Sequence, residues 1–265
     1  MQEIWDLILG NFVGVLVVLA RVMGIFTFNP ILGRGTVPMR VRVAMSIVLS
    51  LVMVSHISGG TDVIGYIPQS IPGFVMVLVM ETALGFIFGF IVNLILSIII
   101  FAGKIIDNQI TIALAEIMDP STGVTMPIMA NLYYYLFIFY FFLTGGHLSY
   151  IELFARSYQI IPIGFDFSLE WISMSHDIAM FLGTVMTLAV KMAMPIIAAE
   201  MILQICVGVI MKAVPSIQIF VINIQMKILM GLFIIMAIAG PMSDFIQRLM
   251  DIMFDNLFGT LERLG

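Results

Sequence analysis

Four charged side chains lie inside long apolar runs of this sequence of 265 residues: Arg21, Glu81, Lys191 and Glu200. A charge at the centre of a membrane helix costs about 2.5 to 3.5 kcal/mol on insertion scales, so each needs a partner or a wet cavity. Such residues form proton or ion sites in transporters, and they also form buried hydrogen-bonded clamps between subunits. Both interpretations stay open, and the structural one is favoured for Glu81.

The other residues that carry chemistry in enzymes are too scattered to form a catalytic site. The three histidines, His56, His147 and His176, are far apart, and none has the spacing of a metal site. The sequence contains no HExxH, GxSxG or phosphate-cradling motif. The single cysteine, Cys206, lies in an apolar run, so neither a disulfide nor a redox pair can form within one chain. We therefore expect a protein that is not an enzyme and uses no cofactor.

The elements that position the four charges are membrane helices. Hydrophobic residues make up 62% of the sequence, charged residues make up 10%, and the mean hydropathy is +1.16. The net charge is -5 and the basic residues are scattered singly, which argues against nucleic acid as a partner. This composition predicts an all-α membrane protein with about six hydrophobic segments, and a full crossing of the bilayer core takes roughly 20 helical residues. These segments are 4–28, 41–57, 73–102, 133–144, 178–211 and 217–239, and an amphipathic helix is predicted at 244–264.

Helical spacing places two glycines beside one of the intramembrane charges. Glu81, Gly85 and Gly89 fall at positions i, i+4 and i+8, so they share one face of a helix. Glycine permits a close approach of two backbones, and we expect this face to meet another helix.

A proline lies between the other two charges, Lys191 and Glu200. Pro195 lacks a backbone N–H donor, so the helix is predicted to kink there. Transporters bind ions at broken helices of this kind. A proton- or ion-coupled secondary transporter is therefore the alternative function.

The stretch 103–127 is the longest mildly polar passage between the apolar runs. It begins with helical character, carries acidic residues and is broken at Asp119-Pro120. Irregular backbone cannot face lipid, because its polar groups would lack hydrogen bonds, so protein or water must hold this stretch. A cytoplasmic connector at the surface is the alternative interpretation.

Basic residues are distributed unevenly between the two sides of six predicted crossings. By the positive-inside tendency the richer side is cytoplasmic, and both termini are then outside. The richer side carries Arg34, Arg40, Arg42, Lys104, Lys212 and Lys227, and the other side carries Arg156, Arg248 and Arg263.

Several landmarks, in order, resemble those of the FliR family of flagellar export-gate proteins, whose relatives also serve injectisome type III secretion. The resemblance spans nearly the whole chain, and it depends on the order and spacing of the landmarks together. The landmarks are Arg21 with Pro30-Ile-Leu-Gly and VPMRVR ending at Arg42; Glu81 with Gly85 and Gly89; Gly103 with Ile106 and Gln109; Met118-Asp119-Pro120 with Met126-Pro127; Gly146-His147; Pro162-Ile-Gly; and Gly208 with Pro215, Gln218, Phe220 and Lys227.

This resemblance implies an architecture of two portions in a larger assembly. Residues 1–175 would be similar to FliP and carry a plug-like loop at 103–127, and residues 176–265 would be a FliQ-like helical hairpin with an amphipathic tail. The family implies a helical assembly with FliP-like and FliQ-like subunits in the bacterial inner membrane, at the flagellar basal body. This assembly would conduct unfolded flagellar subunits and meet an FlhB-like switch protein.

The resemblance also implies roles for three sets of residues. A channel plug or seal would comprise Ile110, Ile112, Ala113, Leu114, Ala115, Met118, Asp119, Pro120 and Gly123. Subunit packing would involve Arg21, Glu81, Gly85, Gly89 and Lys191. The cytoplasmic tip of the hairpin would comprise Gly208, Pro215, Gln218, Phe220 and Lys227.

Overall fold

A computed structural model of the chain describes residues 2–29, 38–57, 68, 70–111, 127–163, 171–213 and 219–264. These residues form helices and short connections, with no strand among them, so the predicted all-α class is confirmed. The described helices are α1 (Gln2–Phe28), α2 (Met39–Ile57), α3 (Ile71–Gln109), α4 (Ile128–Leu143), α5 (Gly146–Ile160), α6 (Trp171–Ala213), α7 (Ile219–Ala237) and α8 (Ala239–Leu264).

Two of the described helices are each long and apolar enough to cross a membrane. They are α3 and the Ile178–Ile210 part of α6, and the number rises to four if the bent pairs α4–α5 and α7–α8 each form one span. Only the described residues enter this count. The chain is therefore a helical membrane protein.

Helix α3 is longer than its predicted apolar run. It has 39 residues, and Pro72 occupies its first turn, where the missing N–H has no intrahelical acceptor to lose. The helix continues past Ala102 to Gln109, through the helical start predicted for the stretch 103–127. At 1.5 Å per residue its length is about 58 Å, against about 30 Å for a bilayer core. It must therefore tilt or extend beyond the membrane.

The chain forms two compact units, each assembled from separated stretches of sequence. Unit 1 comprises Met1–Leu94, Phe142–Ile178 and Ile252–Gly265, and unit 2 comprises Ile95–Phe141 and Ala179–Asp251. The predicted FliP-like portion at 1–175 and FliQ-like portion at 176–265 concern similarity to other chains, and they stay a prediction.

Each unit has its own apolar core. In unit 1, α1 packs against α2, and α2 also contacts α5. The core of unit 1 includes Val17, Val18, Val22, Ile25, Leu84, Phe88, Leu153 and Phe154. The core of unit 2 includes Ile95, Ile98, Ile99, Ala102, Phe137, Met192, Ala193 and Ile196.

Helix α6 extends from Trp171 to Ala213 and remains helical through Pro195, where a kink is predicted.

Helix α8 has the amphipathic pattern that its sequence predicts. Its buried residues recur at helical spacing, and its acidic side chains are exposed, so the prediction is confirmed. The buried residues are Met242, Ile246, Leu249, Met253, Leu257 and Leu261, and the exposed charged residues include Asp244, Arg248, Asp251 and Asp255.

The break between α4 and α5 lies at Gly145. Gly145 has φ +75°, in the left-handed region that favours glycine. Its carbonyl accepts the N–H of Leu148 at 2.8 Å and starts the first turn of α5. This turn sets the direction of α5, which carries part of the charge cluster described next.

Candidate functional site

Arg21 lies at the centre of a buried polar cluster in unit 1. Its side chain is fully buried, and its guanidinium binds the Glu81 carboxylate at both ends. Nε donates to Oε2 at 2.6 Å, and Nη2 donates to Oε1 at 3.1 Å. Bidentate pairs of this kind are strong and directional. Because Glu81 is only 2% exposed, the two charges are satisfied inside a single chain.

The end of α5 completes the coordination of Arg21. Nη1 donates to the Ser157 hydroxyl at 3.1 Å, and Nη2 also donates to the Ile161 carbonyl at 3.1 Å. The guanidinium carbon lies 4.0 Å from the centre of the Tyr158 ring. Carbonyls at the end of a helix lack intrahelical donors and favour a cation, so α5 presents an acceptor where Arg21 has a free donor. The cluster therefore ties α1, α3 and α5 together.

Two glycines bring the backbones of α1 and α3 close enough for this pair. A Cβ atom on Gly85 would collide with the backbone carbonyl of Arg21, and one on Gly24 would collide with the carbonyl of Thr82. Gly89 is also buried. The prediction that this face of α3 meets another helix is confirmed, and at Gly85 that helix is α1 of the same chain. A further role of these residues in subunit packing stays a prediction.

Unit 2 contains a buried carboxylate that lacks such partners. Glu200 of α6 is 1% exposed, and neither of its carboxylate oxygens has a hydrogen-bond partner among the residues that the structure describes. Lys227 of α7 is 7% exposed and interacts with Glu200 electrostatically. In the described part of the chain no ion pair within 4.0 Å joins them. The carboxylate is therefore free to accept a hydrogen bond from water, from another side chain or from a bound cation.

The end of α3 packs against α7 beside this carboxylate. Ile110, the first residue of the predicted plug set, is fully buried. A Cβ atom on Gly231 would collide with the Ile110 side chain and would lie 3.7 Å from Oε1 of Glu200. The first residue of the predicted plug set thus packs next to the Glu200 carboxylate.

The next residue has a strained backbone. Thr111 has φ +59°, which is uncommon for a β-branched residue, and its hydroxyl donates to the Ile110 carbonyl at 2.7 Å. Conformations of this kind cost about 1 to 3 kcal/mol and persist where the surroundings impose them. The chain therefore leaves α3 through a fixed and strained turn.

The far end of the loop also returns to α3. Asp107 is 1% exposed, and its carboxylate accepts the backbone N–H of Met129 at 3.0 and 3.3 Å, which caps the first turn of α4. A Cβ atom on Gly103 would collide with the backbone of Ala130. Both ends of the segment 112–126 are therefore held on the last turns of α3.

Most of the predicted plug and part of the predicted tip lie outside the described residues. These are Ile112, Ala113, Leu114, Ala115, Met118, Asp119, Pro120, Gly123, Pro215 and Gln218. Phe220 belongs to the start of α7, but its side chain is also outside the description. Gly208 is half-buried in α6, and Lys191 lies on the exposed side of the same helix. The plug and tip assignments stay predictions.

Sequence reasoning missed several residues that complete these two sites. Asp107 follows Gly103 by one helical turn, and Gly231 follows Lys227 by one turn, so helical spacing alone places each pair on a common face. No sequence signal pointed to Ser157, because its partner Arg21 is 136 residues away.

The sequence is similar to known export proteins over most of its length. The family described as bacterial export proteins, family 1, matches residues 12–253. The flagellar biosynthetic protein FliR of Pectobacterium carotovorum subsp. carotovorum is 23% identical over 245 residues, covering 92% of this chain and 91% of that protein. FliR of Bacillus subtilis (strain 168) is 21% identical over 267 residues, covering 100% and 99%. The surface presentation of antigens protein SpaR of Shigella flexneri is 25% identical over 215 residues, covering 81% and 80%. Since the family match covers well over half of the sequence, this chain belongs to the bacterial export proteins, family 1.

Proposed function

We propose that the chain is a component of the flagellar type III protein export gate. In this proposal it forms, with FliP-like and FliQ-like chains in the bacterial inner membrane, a channel for unfolded flagellar subunits. The observation that carries the proposal is the family match at 12–253, together with relatives named flagellar biosynthetic protein FliR that align over nearly their whole length. The membrane helices described above fit such a role.

The proposed gate component is not an enzyme, and its two portions have different neighbours. Residues 1–175 would take a FliP-like place in the assembly, and residues 176–265 would add a FliQ-like hairpin. The hairpin tip, from Gly208 to Lys227, would meet an FlhB-like switch protein on the cytoplasmic side. The basic residues on that side of the predicted topology support this orientation.

The loop within 103–127 is the proposed closure of the channel. Two observations support this assignment: Ile110 is buried against Gly231, and Asp107 caps the helix that follows the loop. A loop of small and apolar residues whose two ends are fixed loses less conformational entropy on lying across a pore than a loop with free ends does.

Deletion of residues 111–122 tests this closure. We expect the assembly to form in normal amount and to leak ions, because the blocking segment is shortened while both attachment points remain. Ion flux through the purified assembly in planar bilayers measures the leak, and co-purification of the other subunits measures assembly. An ion-tight deletion variant would make the stretch a surface connector.

Deletion of the gene tests the function as a whole. We expect flagellin secretion to stop and to return when the gene is supplied in trans. We also expect the purified wild-type chain to be recovered in one complex with FliP-like and FliQ-like chains. Intact secretion in the deletion strain, with loss of uptake of a small solute, would contradict the proposal.

One observation favours the alternative, a proton- or ion-coupled secondary transporter. The Glu200 carboxylate is buried without a hydrogen bond, near Lys227 and in the helix that contains Pro195. Ion-coupled transporters use carboxylates in such positions. Uptake driven by a proton or sodium gradient into liposomes that contain the purified chain alone separates the two functions. The export-gate component should show none.

A further inference from the structure

Lys191 lies on the outward side of α6 near the middle of a membrane span. The apolar span Ile178–Ile210 has its midpoint at Met194, so Lys191 is about 4.5 Å from the midpoint at 1.5 Å per residue. Its side chain is exposed, and no hydrogen bond or ion pair is recorded for it in the described part of the chain.

The surface around this ammonium group is mostly apolar, and the exposed hydroxyls of Thr184 and Thr187 each donate to a carbonyl of their own helix. Met186 is 49% exposed, Val190 is 43% exposed and Met194 is 53% exposed. Only 28% of the α6 span is buried inside the chain, against 67% for the span formed by α3. Lys191 is therefore an isolated cation on a broad hydrophobic face.

Lipid satisfies this group poorly. With the bilayer centred on this span, the interface lies about 15 Å from the centre of a 30 Å core, and a lysine side chain that reaches roughly 6 Å does not extend to the headgroups. A lysine left at that depth costs about 2.5 to 3.5 kcal/mol. A carboxylate brought by a neighbouring helix would offset this cost.

Among the acidic residues whose side chains the structure describes, a second copy of this chain does not offer a suitable carboxylate. Glu81, Asp107 and Glu200 are each at most 2% exposed. Glu152 is exposed but accepts a hydrogen bond from Arg156 of its own helix at 2.7 Å. The exposed acids of α8 lie on a polar face, which does not match the apolar surface around Lys191.

We propose that the outward face of α6 around Lys191 docks an apolar helix of a different chain, which carries a membrane-embedded Asp or Glu opposite Lys191. This inference rests on the proposed function, in that the partner is a neighbouring subunit of the gate. The methionines beside Lys191 adapt to the surface of such a helix, because their unbranched side chains fill irregular gaps. The ion pair fixes the register of the two helices.

Charge variants of Lys191 in the co-expressed assembly test the pairing. Lys191→Arg should keep the complex, Lys191→Met should lower its recovery, and Lys191→Glu should lower it most, with association weakened about 30-fold or more. Arg156→Met is the matched control, because it removes an exposed cation whose partner is in its own chain. A complex that survives Lys191→Glu as well as the control would overturn the inference and leave the proposed function standing.

Photocrosslinking covers the case in which a variant fails to fold. A benzophenone amino acid at Val190 or Met194, with Lys191 intact, should crosslink in native membranes to one helix that contains an Asp or Glu. Substitution of that acid by Lys should restore recovery of the complex in the Lys191→Glu variant. A crosslink to a chain outside the gate would contradict the proposed function and support the docking.

Thiol accessibility tests whether Lys191 faces water instead of a docked helix. Lys191→Cys in a Cys206→Ser background should resist a water-soluble thiol reagent in the assembled complex, since the docked helix covers it. The second change is needed because Cys206 is exposed. Rapid modification would mean that Lys191 faces water, and crosslinks to lipid alone would mean that no helix is docked. Either result overturns the inference.

Discussion

Two of the buried charge centres in the described part of the chain differ in how completely they are satisfied. In unit 1, Arg21 and Glu81 form a bidentate pair, and a hydroxyl and a carbonyl take further donors of the guanidinium. In unit 2, Glu200 has no hydrogen bond among the described residues. No ion pair within 4.0 Å joins it to Lys227 there.

This difference indicates different roles for the two centres. Removal of one partner from a buried charge pair with good geometry strongly destabilises the folded protein. The Arg21 cluster therefore fixes the arrangement of its helices. A buried carboxylate without a partner contributes no such fixation and is ready to bind a group that arrives from elsewhere. The Arg21 cluster is suited to hold unit 1 in one arrangement, and the Glu200 carboxylate is suited to bind a further group.

Removal of Arg21 should have the largest effect. Arg21→Met leaves the Glu81 carboxylate buried and uncompensated, so we expect the free energy of unfolding to fall by about 3 to 5 kcal/mol. Denaturant unfolding of the purified chain in detergent, followed by circular dichroism, measures this loss. Arg156→Met is the control, since its exposed pair contributes less than about 1 kcal/mol.

The double variant Arg21→Met with Glu81→Met sharpens this result. It removes both charges together and leaves no unpaired group, so the loss should be smaller than for Arg21→Met alone. A double variant less stable than the single one would show that the two residues act independently.

Substitution of a close-approach glycine should have the next largest effect, and the two centres should again differ. A Cβ atom on Gly85 meets the backbone of Arg21, whereas one on Gly231 meets the side chain of Ile110. Each Gly→Ala change should cost about 1 to 3 kcal/mol by overpacking. In an Ile110→Ala background, Gly231→Ala should cost little, because the obstructing side chain is gone.

Gly85→Ala provides the comparison for this cycle. Its obstacle is a backbone carbonyl, so no side-chain truncation relieves it, and its cost should be unchanged by Ile110→Ala. The same unfolding measurement on the single and double variants gives the coupling energy. An equal cost of Gly231→Ala in both backgrounds would mean that Ile110 does not fix the end of α3 at α7.

Most helices were predictable from the sequence because their apolar runs are long. Helix α5 was not, because Gly146–Ile160 lies outside the six predicted hydrophobic segments. The sequence predicted a helical start to the stretch 103–127, but not that α3 continues as far as Gln109. Its amphipathic last turns bury Ile106 and Asp107, and burial of this kind depends on tertiary contacts that no local pattern reveals.

The charge clusters were predictable only in part. The cost of charge in an apolar run singled out Arg21 and Glu81, but their pairing joins residues that are 60 positions apart. Glu200 was singled out in the same way, and its lack of a hydrogen bond is visible only in three dimensions. A sequence thus shows which groups need partners, and packing decides which groups receive them.

The smallest effect should come from Glu200→Gln. No hydrogen bond is lost, and the change removes a charge that burial disfavours, so the free energy of unfolding should change by less than about 1 kcal/mol or should rise. Glu81→Gln should be far more costly by the same measurement, because it leaves the Arg21 cation without its counter-charge. If the two substitutions cost the same, Glu200 has a partner as firm as Arg21, and the two centres do not differ. If they differ as expected, Glu200 contributes little to the stability of the isolated chain, and its effect should be sought in the proposed assembly.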